Sequence, residues 1–330
     1  MHSLYIGWSD KRRFAFALLA ALLVIASSLA DAQVARMEIL SFQSTTLTDQ
    51  EFLTNRKEGK PVTLAGELRL PRTGNDKLPL VILLHGSGGI SGYVTDWEQD
   101  FNTIGVATFV IDSFSARGIA NTNNDQSQLG RLAMIVDAYR ALELLARHPR
   151  IDPARIVLMG FSRGGQAALY ASLNRFQRMH GPRAAAFSAY IPFYPDCSTA
   201  YFNDTDVADK PIRIFHGSAD DYDPVDVCRP YVARLKATGK DAQLTEYAGA
   251  GHIFDWQALK TPVKLNKAQT VRHCRLMEVD GGVIVNAGTK QVFTFADPCV
   301  EYGPTIAYDE KSSTAARKAV MEFVTGLRPQ

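Results

Sequence analysis

The sequence has few cysteines, almost no net charge and no long apolar run beyond its first 30 residues. Its 36 Lys and Arg residues against 34 Asp and Glu residues give a formal net charge of +2. This balance excludes a broad electrostatic attraction to nucleic acid, so no nucleic-acid partner is expected. Hydrophobic residues make up 46% and charged residues 21% of the 330 residues. That composition is globular and excludes disordered, collagen-like and coiled-coil chains.

The first 32 residues have the organisation of a secretory signal peptide. Basic residues at 11–13 precede an apolar run at 14–26, and Ala30-Asp31-Ala32 supplies an A-x-A cleavage pattern. The apolar run is shorter than the roughly 20 residues that a membrane-spanning helix needs. A signal cleaved near Ala32 is therefore favoured over an uncleaved anchor. We expect residues 33–330 to act in the periplasm or as a secreted protein, with no stable membrane anchor after cleavage.

All four cysteines lie in the exported part, at Cys197, Cys228, Cys274 and Cys299. An even count in an oxidising compartment predicts two disulfides with three connectivities open, and free buried thiols are the alternative. We expect Cys197–Cys228 because each residue follows a strand and such loops gather at one sheet edge. Cys274 and Cys299 flank a later insertion and are expected to form its own disulfide. No CxxC or His-rich cluster suggests a metal site, so none is expected.

Short apolar runs alternate with amphipathic helical patterns through the body of the chain. Apolar runs bounded by glycine are typical of parallel strands with both faces covered by helices. Apolar residues recur at three- and four-residue spacing over residues 132–145, which predicts an amphipathic helix. The expected strands lie at 36–43, 62–70, 80–84, 106–111, 156–159 and 212–215, and the expected last helix at 313–325, capped by Gly326.

This alternation predicts an α/β fold of one domain spanning residues 33–330, with a doubly wound, mostly parallel sheet and helices on both faces. The segment from about residue 255 to 307 breaks the alternation. Within it a turn separates strand-like residues at 279–285, and Gln291-Val-Phe-Thr-Phe is also strand-like. We interpret this segment as an inserted hairpin stapled by a disulfide near the C-terminus.

One motif carries a candidate nucleophile. Gly160-Phe-Ser-Arg-Gly164 fits G-x-S-x-G and lies between the strand at 156–159 and a segment of good helix formers. In a nucleophile elbow the serine occupies a sharp strand-to-helix turn, where a base can reach it. Ser162 is therefore the expected nucleophile. The alternative is a serine in a helix-capping turn.

A serine hydroxyl needs an adjacent base, and the base needs a carboxylate to orient it. His252 follows a strand-like segment and is the best candidate among the seven histidines. Asp220 follows the strand at 212–215 and is the expected acid, with Asp221 and Asp223 as close rivals. The chain order Ser162, Asp220, His252 is the order expected for an α/β-hydrolase.

Acyl transfer also needs backbone N–H groups that stabilise the developing oxyanion. The N–H of Arg163, directly after the nucleophile, is one candidate donor. The loop His85-Gly-Ser-Gly-Gly is expected to supply the other from Ser87. A phosphate-cradling loop is the alternative, but this loop lacks the Gly-Lys-Ser/Thr spacing and is not G-x-G-x-x-G.

Several segments together resemble the dienelactone hydrolase family of the α/β-hydrolases, over about residues 62–327. They are His85-Gly-Ser-Gly-Gly, Asp112-Ser-Phe-Ser-Ala-Arg-Gly, Gly160-Phe-Ser-Arg-Gly-Gly, His216-Gly-Ser-Ala-Asp-Asp and Gly251-His-Ile-Phe. The resemblance implies an α/β-hydrolase fold and a hydrolase. The family's namesake has a cysteine nucleophile and is cytoplasmic. Here Ser162 and the signal peptide favour a serine esterase that acts outside the cytoplasm.

The function expected from the sequence is an exported serine hydrolase that cleaves a small-molecule ester or lactone through an acyl-enzyme, without cofactor or metal. A peptidase and an acyltransferase are alternatives with the same triad, and a non-catalytic binding protein on a hydrolase scaffold is the alternative of another class. Arg117 and Arg163 are candidates for contact with an acidic substrate group, although internal pairing or loop anchoring is favoured. Tyr93, Trp97 and Tyr194 are candidates for the cleft wall, with packing the favoured role. The sequence predicts no oligomeric state.

Overall fold

The structure, a computed structural model, describes residues 35–327, so the expected signal peptide lies outside the described residues. The strands are β1 (Arg36–Thr46), β2 (Lys60–Leu70), β3 (Leu78–Leu84), β4 (Ala107–Asp112), β5 (Ile151–Phe161), β6 (Ala189–Phe193), β7 (Thr199–Ala200), β8 (Ile212–Gly217), β9 (Ala242–Tyr247), β10 (Val263–Lys264), β11 (Gln269–Thr270), β12 (Leu276–Val279), β13 (Val283–Asn286), β14 (Glu301–Tyr302) and β15 (Thr305–Ile306). The α-helices are α1 (Asp49–Leu53), α2 (Gly92–Thr103), α3 (Ala133–Leu145), α4 (Arg163–Tyr170), α5 (Asn174–His180), α6 (Cys228–Ala237) and α7 (Glu310–Gly326).

Eight strands form the central sheet, in the order β1-β2-β4-β3-β5-β6-β8-β9. The pairs β1–β2 and β2–β4 are antiparallel, and every later neighbouring pair is parallel. The mostly parallel sheet predicted from the sequence is therefore confirmed. Its parallel strands all end at the same edge of the sheet, and the loops that follow β5, β8 and β9 meet there.

Helices cover both faces of the sheet. Since side chains alternate along each strand, successive residues pack against opposite faces. Leu80, Ile82 and Leu84 of β3 belong to one buried cluster, which also contains apolar residues of α3, α4 and α6. Val81 and Leu83 belong to a second cluster, which contains apolar residues of α2 and α7. The continuous apolar runs of the sequence follow from this double coverage.

The insertion is more elaborate than the expected hairpin. Its two ends pair with each other twice, β10 with β15 and β11 with β14, both antiparallel. Beyond these pairs, β12 and β13 form the expected antiparallel hairpin, and β12 also pairs in parallel with β7. The insertion is thereby fixed to the loop that follows β6, beside the strand edge where the loops after β5, β8 and β9 meet.

Two local expectations were wrong. Residues 291–295 do not form a strand; they contribute only an isolated bridge between Val285 and Val292. Gly326 is the last residue of α7 instead of its cap, which is Leu327. The same helix begins three residues earlier than expected because the Asp309 side chain accepts a hydrogen bond from the N–H of Ser312.

The structure joins Cys197 to Cys228 and Cys274 to Cys299, the same pairs named from the sequence. The first bond connects the loop after β6 to the start of α6. The second closes the insertion around its hairpin. Among residues 35–327, no helix combines the length and the apolar character needed to cross a membrane. The same residues contain no group of three or more metal-ligating side chains.

Candidate active site

Ser162 lies on a strained turn between β5 and α4. Its backbone has φ 53° and ψ −116°, a conformation that L-residues rarely adopt. The flanking glycines explain why this turn is feasible. A Cβ on Gly160 would lie 2.0 Å from the carbonyl oxygen of Gly164, and a Cβ on Gly164 would lie 2.3 Å from that of Leu84. The G-x-S-x-G pattern is thus a steric requirement of the close contact between strand and helix.

Ser162, His252 and Asp220 form a hydrogen-bonded chain. The Nε2 atom of His252 lies 2.9 Å from the Ser162 Oγ, and its Nδ1 lies 2.7 Å from Oδ2 of Asp220. The other carboxylate oxygen of Asp220 accepts the backbone N–H groups of Tyr222 and Asp223, each at 2.9 Å. All three chain members are more than nine-tenths buried. This geometry matches nucleophile, base and orienting acid.

The electrostatics favour an ionised Asp220 carboxylate, which orients the imidazole of His252 and stabilises its protonated form. Burial raises the pKa of Asp220, but the charge and hydrogen bond of His252 outweigh it and hold this pKa below its ordinary value. Burial lowers the pKa of His252, but Asp220 outweighs it and holds this pKa above 6.5. With Asp220 ionised, the proton of a neutral His252 is held on Nδ1, so that Nε2 is free to accept the serine proton.

The rival carboxylates have other contacts. Asp221 accepts the backbone N–H of Thr305 at 2.8 Å and lies 3.7 Å from the guanidinium of Arg272, so it attaches the acid loop to the insertion. Asp223 lines a small cavity beside the nucleophile, whereas the Nδ1 atom of His252 is hydrogen-bonded to Asp220. Asp220 is thus the aspartate that the structure brings to His252 Nδ1.

The expected oxyanion donors flank the nucleophile. Gly86 approaches Ser162 so closely that a Cβ on it would lie 3.4 Å from the Ser162 Cβ, which brings the following residue, Ser87, beside the hydroxyl. Arg163 opens α4 directly after the nucleophile. Among residues 35–327, neither the Ser87 nor the Arg163 backbone N–H is used in a hydrogen bond. Both donors therefore remain available to an oxygen bound at Ser162.

A cavity of about 220 Å³ opens on one side of Ser162 and His252; we call it the aromatic cavity. Two of the candidate cleft aromatics, Tyr93 and Tyr194, line it, whereas Trp97 is buried and donates its Nε1–H to Asp255 at 2.6 Å. The sequence analysis did not identify its other main walls, which are Phe161, Tyr222, Ile253, Trp256, Leu265 and Ile306. Leu265 and Ile306 belong to the insertion, so the insertion forms part of the site.

A second, much smaller cavity of about 20 Å³ lies on another side of Ser162; we call it the polar slot. Its walls are Ser87, Gln126, Arg131, Ser162, Arg163, Gln166, Asp196, Tyr222, Asp223, Gln269, Thr270, Val271 and Phe295. Sequence reasoning missed most of them because they come from distant segments. Tyr222 had the clearest signal in the sequence, since it lies between the two candidate acids Asp221 and Asp223. In the structure the centroid of its ring lies 4.7 Å from that of His252.

Of the two candidate arginines, Arg117 does not reach the site. Its guanidinium donates to both carboxylate oxygens of Asp137 at 2.8 Å, and both side chains are buried. It also donates to the carbonyl of Ser113 and the hydroxyl of Thr46, so it anchors its loop instead of contacting a substrate. The Arg163 side chain lines the polar slot, but its two terminal nitrogens donate to Gln126 and Leu129.

A mostly parallel sheet with a serine turn after β5, an acid after β8 and a histidine after β9 defines an α/β-hydrolase with a Ser–His–Asp arrangement. A family model described as the dienelactone hydrolase family matches residues 65–277. The chain belongs to this family, and the membership supports a hydrolase that acts on an ester or lactone.

Individual proteins are similar to this chain in sequence or in fold. A probable 2-oxo-3-(5-oxofuran-2-ylidene)propanoate lactonase from a Bradyrhizobium species is 25% identical over 197 residues, which are 54% of this chain and 74% of the relative. The structure of a putative dienelactone hydrolase from Klebsiella pneumoniae aligns with a TM-score of 0.55 and 14% identity, over 88% of this chain and 99% of that chain. A dienelactone hydrolase-like promiscuous phosphotriesterase from metagenomic libraries aligns with a TM-score of 0.54 and 15% identity, over 88% and 98%. At these identities the two structures show a shared fold.

Proposed function

We propose that this protein is an exported serine hydrolase that cleaves a carboxylic ester or lactone through an acyl-enzyme intermediate. The observation that carries the proposal is the buried chain from Ser162 Oγ through His252 to Asp220, with distances of 2.9 and 2.7 Å. A hydroxyl becomes an effective nucleophile when an adjacent base removes its proton during attack. His252 is that base, and Asp220 is the carboxylate that orients it.

In the first half of the reaction, Ser162 Oγ attacks the carbonyl carbon while Nε2 of His252 takes the hydroxyl proton. Negative charge develops on the carbonyl oxygen, and the N–H groups of Ser87 and Arg163 stabilise it. The imidazolium that forms is stabilised by Asp220, which stays ionised. His252 then donates its proton to the departing alcohol oxygen, which leaves the acyl group on Ser162.

In the second half, water occupies the place of the departed alcohol next to His252. His252 removes a proton from this water as it attacks the acyl carbon, and the proton then returns to Ser162 Oγ as the acid is released. A lactone follows the same steps, but its alcohol stays attached to the acyl chain throughout, and the product is a single hydroxy acid. The name of the Bradyrhizobium relative supports lactones among the substrates.

Export is supported by the signal-like sequence of residues 1–32 together with the two disulfides, because such bonds persist in oxidising compartments. Expression of the full chain in a Gram-negative host tests this part. N-terminal sequencing of the periplasmic or extracellular protein is expected to give Gln33 as the first residue. Protein retained in the cytoplasm with an intact N-terminus would contradict it.

Hydrolysis of p-nitrophenyl butyrate and of δ-valerolactone tests the reaction. Ser162→Ala is expected to lower kcat by at least about 10⁴-fold, because removal of the nucleophile removes the covalent pathway. Ser127→Ala is the matched control, since Ser127 is exposed and, within residues 35–327, its side chain bonds to Asp125 alone. Equal activity in the Ser162 variant and the control would refute the proposal.

A further inference from the structure

The polar slot is a second site beside the nucleophile, and it has room for very little. A volume of about 20 Å³ accommodates one group the size of a water molecule. Ser162 and Ser87 line both the polar slot and the aromatic cavity. An ester carbonyl bound at Ser162 therefore has one substituent facing each space.

The position of His252 decides which substituent enters which space. His252 lines the aromatic cavity and is not among the residues that line the polar slot. In the proposed reaction His252 protonates the departing alcohol oxygen, so the alcohol part must lie on the His252 side. The polar slot is left for one small group of the acyl part of the substrate, next to the carbonyl carbon.

Three side chains of the slot present polar atoms that lack protein partners. Gln166 Nε2 and Arg163 Nε are buried donors without a hydrogen-bond partner in the described part of the chain. No hydrogen bond within residues 35–327 reaches the carboxyl of Asp223. All three residues are buried: Gln166 is 1% exposed, Arg163 is 6% exposed and Asp223 is 7% exposed. An unpaired buried polar group costs about 1–3 kcal/mol, so a ligand group that pairs with Gln166 Nε2 or Arg163 Nε is favoured there.

The charges of the side chains that line the polar slot do not favour the binding of an anion. Arg131 forms an ion pair with Asp196 and also donates to Gln166 Oε1 at 3.2 Å. Arg163 and Asp223 line the same small volume. Two guanidinium groups are therefore balanced by two carboxyl groups, and a substrate carboxylate would lie against Asp223.

A hydroxyl group both accepts and donates a hydrogen bond. It therefore matches this set of partners better than a group that only accepts or only donates. Its oxygen accepts from Gln166 Nε2 or Arg163 Nε, and its proton is donated to Asp223. Burial and the neighbouring Asp196 and Asp220 raise the pKa of Asp223 to about 7. A donor hydroxyl would stabilise the ionised form of this carboxyl.

We propose that the polar slot is a specificity subsite for the acyl group, and that it binds a hydroxyl carried close to the scissile carbonyl. The substrate class is then an ester or lactone of a small hydroxy acid, with the larger apolar part on the alcohol side. This inference rests on the proposed hydrolase function and adds the identity of the acyl group to it.

Four matched p-nitrophenyl esters test the subsite: butyrate, 2-hydroxybutyrate, 3-hydroxybutyrate and hemisuccinate. In the wild-type protein, kcat/KM of at least one hydroxy ester is expected to exceed that of butyrate by roughly tenfold or more, the value of a hydrogen bond to a charged group. In Gln166→Leu and Asp223→Asn this ratio is expected to fall toward one. Leu265→Ala is the control, because its side chain lines the aromatic cavity and its loss should leave the ratio at the wild-type value.

Thermal melting of each variant shows whether it is folded, and the ratio is read within one variant, so a partial loss of folded protein cancels. A wild-type ratio near one, or a ratio that Gln166→Leu and Asp223→Asn leave unchanged, would overturn the inference while the proposed function stands. Preference for hemisuccinate over both hydroxy esters would overturn it too, since the slot would then bind an anion. Failure of the wild-type protein to hydrolyse any of the esters would instead refute the proposed function, and this inference with it.

Discussion

Substitution of Asp220 by asparagine is expected to change the hydrogen bond between residue 220 and His252. One oxygen of Asp220 accepts two backbone N–H groups and the other lies 2.7 Å from Nδ1 of His252. Asparagine has a single side-chain oxygen. Because this oxygen is needed by the two N–H groups, the new NH₂ group must face His252.

An NH₂ group facing Nδ1 makes that nitrogen an acceptor and moves the proton of neutral His252 to Nε2. In this tautomer Nε2 cannot remove the proton of Ser162. We expect Asp220→Asn to lower kcat about 10³–10⁴-fold near pH 7. This corresponds to about 4–5.5 kcal/mol of lost transition-state stabilisation. KM should change much less, since the carboxylate does not line either cavity.

The assay is steady-state hydrolysis of p-nitrophenyl butyrate, with thermal melting to show that the variant is folded. Asp221→Asn is the matched control, because this neighbouring carboxylate contacts Thr305 and Arg272 instead of the histidine. Its kcat should stay within about threefold of the wild-type value. A folded Asp220→Asn variant that keeps more than a tenth of the wild-type kcat would refute the assigned role of Asp220.

Three further predictions follow from the same contacts. First, the acid limb of the kcat/KM profile should lie above pH 6.5, because the active form of His252 is neutral and its pKa is raised; a limb well below pH 6.5 would contradict this in a pH-rate measurement. Second, replacement of Cys197 and Cys228 by serine should lower the free energy of unfolding by about 3–4 kcal/mol, because the disulfide closes a loop over a separation of 31 residues and restricts the unfolded chain. Urea titration under oxidising conditions measures this change, and an unchanged midpoint would contradict it. Third, Gly160→Ala should cost about 3 kcal/mol or prevent folding, since its Cβ would lie 2.0 Å from a backbone oxygen; the control Gly326→Ala, where a Cβ meets nothing within 4 Å, should melt within a few degrees of wild type.

The sequence predicts those parts of the site whose signals are local. The G-x-S-x-G turn identifies Ser162 because its glycines are required sterically within one strand–turn–helix unit. Asp220 and His252 each follow a strand of a parallel sheet, and the carboxyl ends of such strands meet at one edge. The alternation of apolar runs and amphipathic helices likewise predicts the doubly covered sheet.

The remainder depends on contacts between distant segments. Gln126, Gln166 and Phe295 meet in the polar slot although long stretches of sequence separate them. Strand-like composition at residues 291–295 misled the prediction because a strand also needs a partner, and only Val292 forms a bridge. Arg117 lies in a motif of the family resemblance, but its partner Asp137 lies on α3 and gives no signal in the surrounding sequence.

Labelling with a fluorophosphonate probe tests the central claim most directly, because such probes react with an activated serine. The oxidised protein lacking residues 1–32 would be treated with the probe and analysed by intact mass and peptide mapping, with Ser162→Ala as control. The account predicts one adduct per chain, located on the peptide that contains Ser162 and absent from the variant. Folded protein that remains unlabelled, or an adduct that persists in Ser162→Ala, would contradict it.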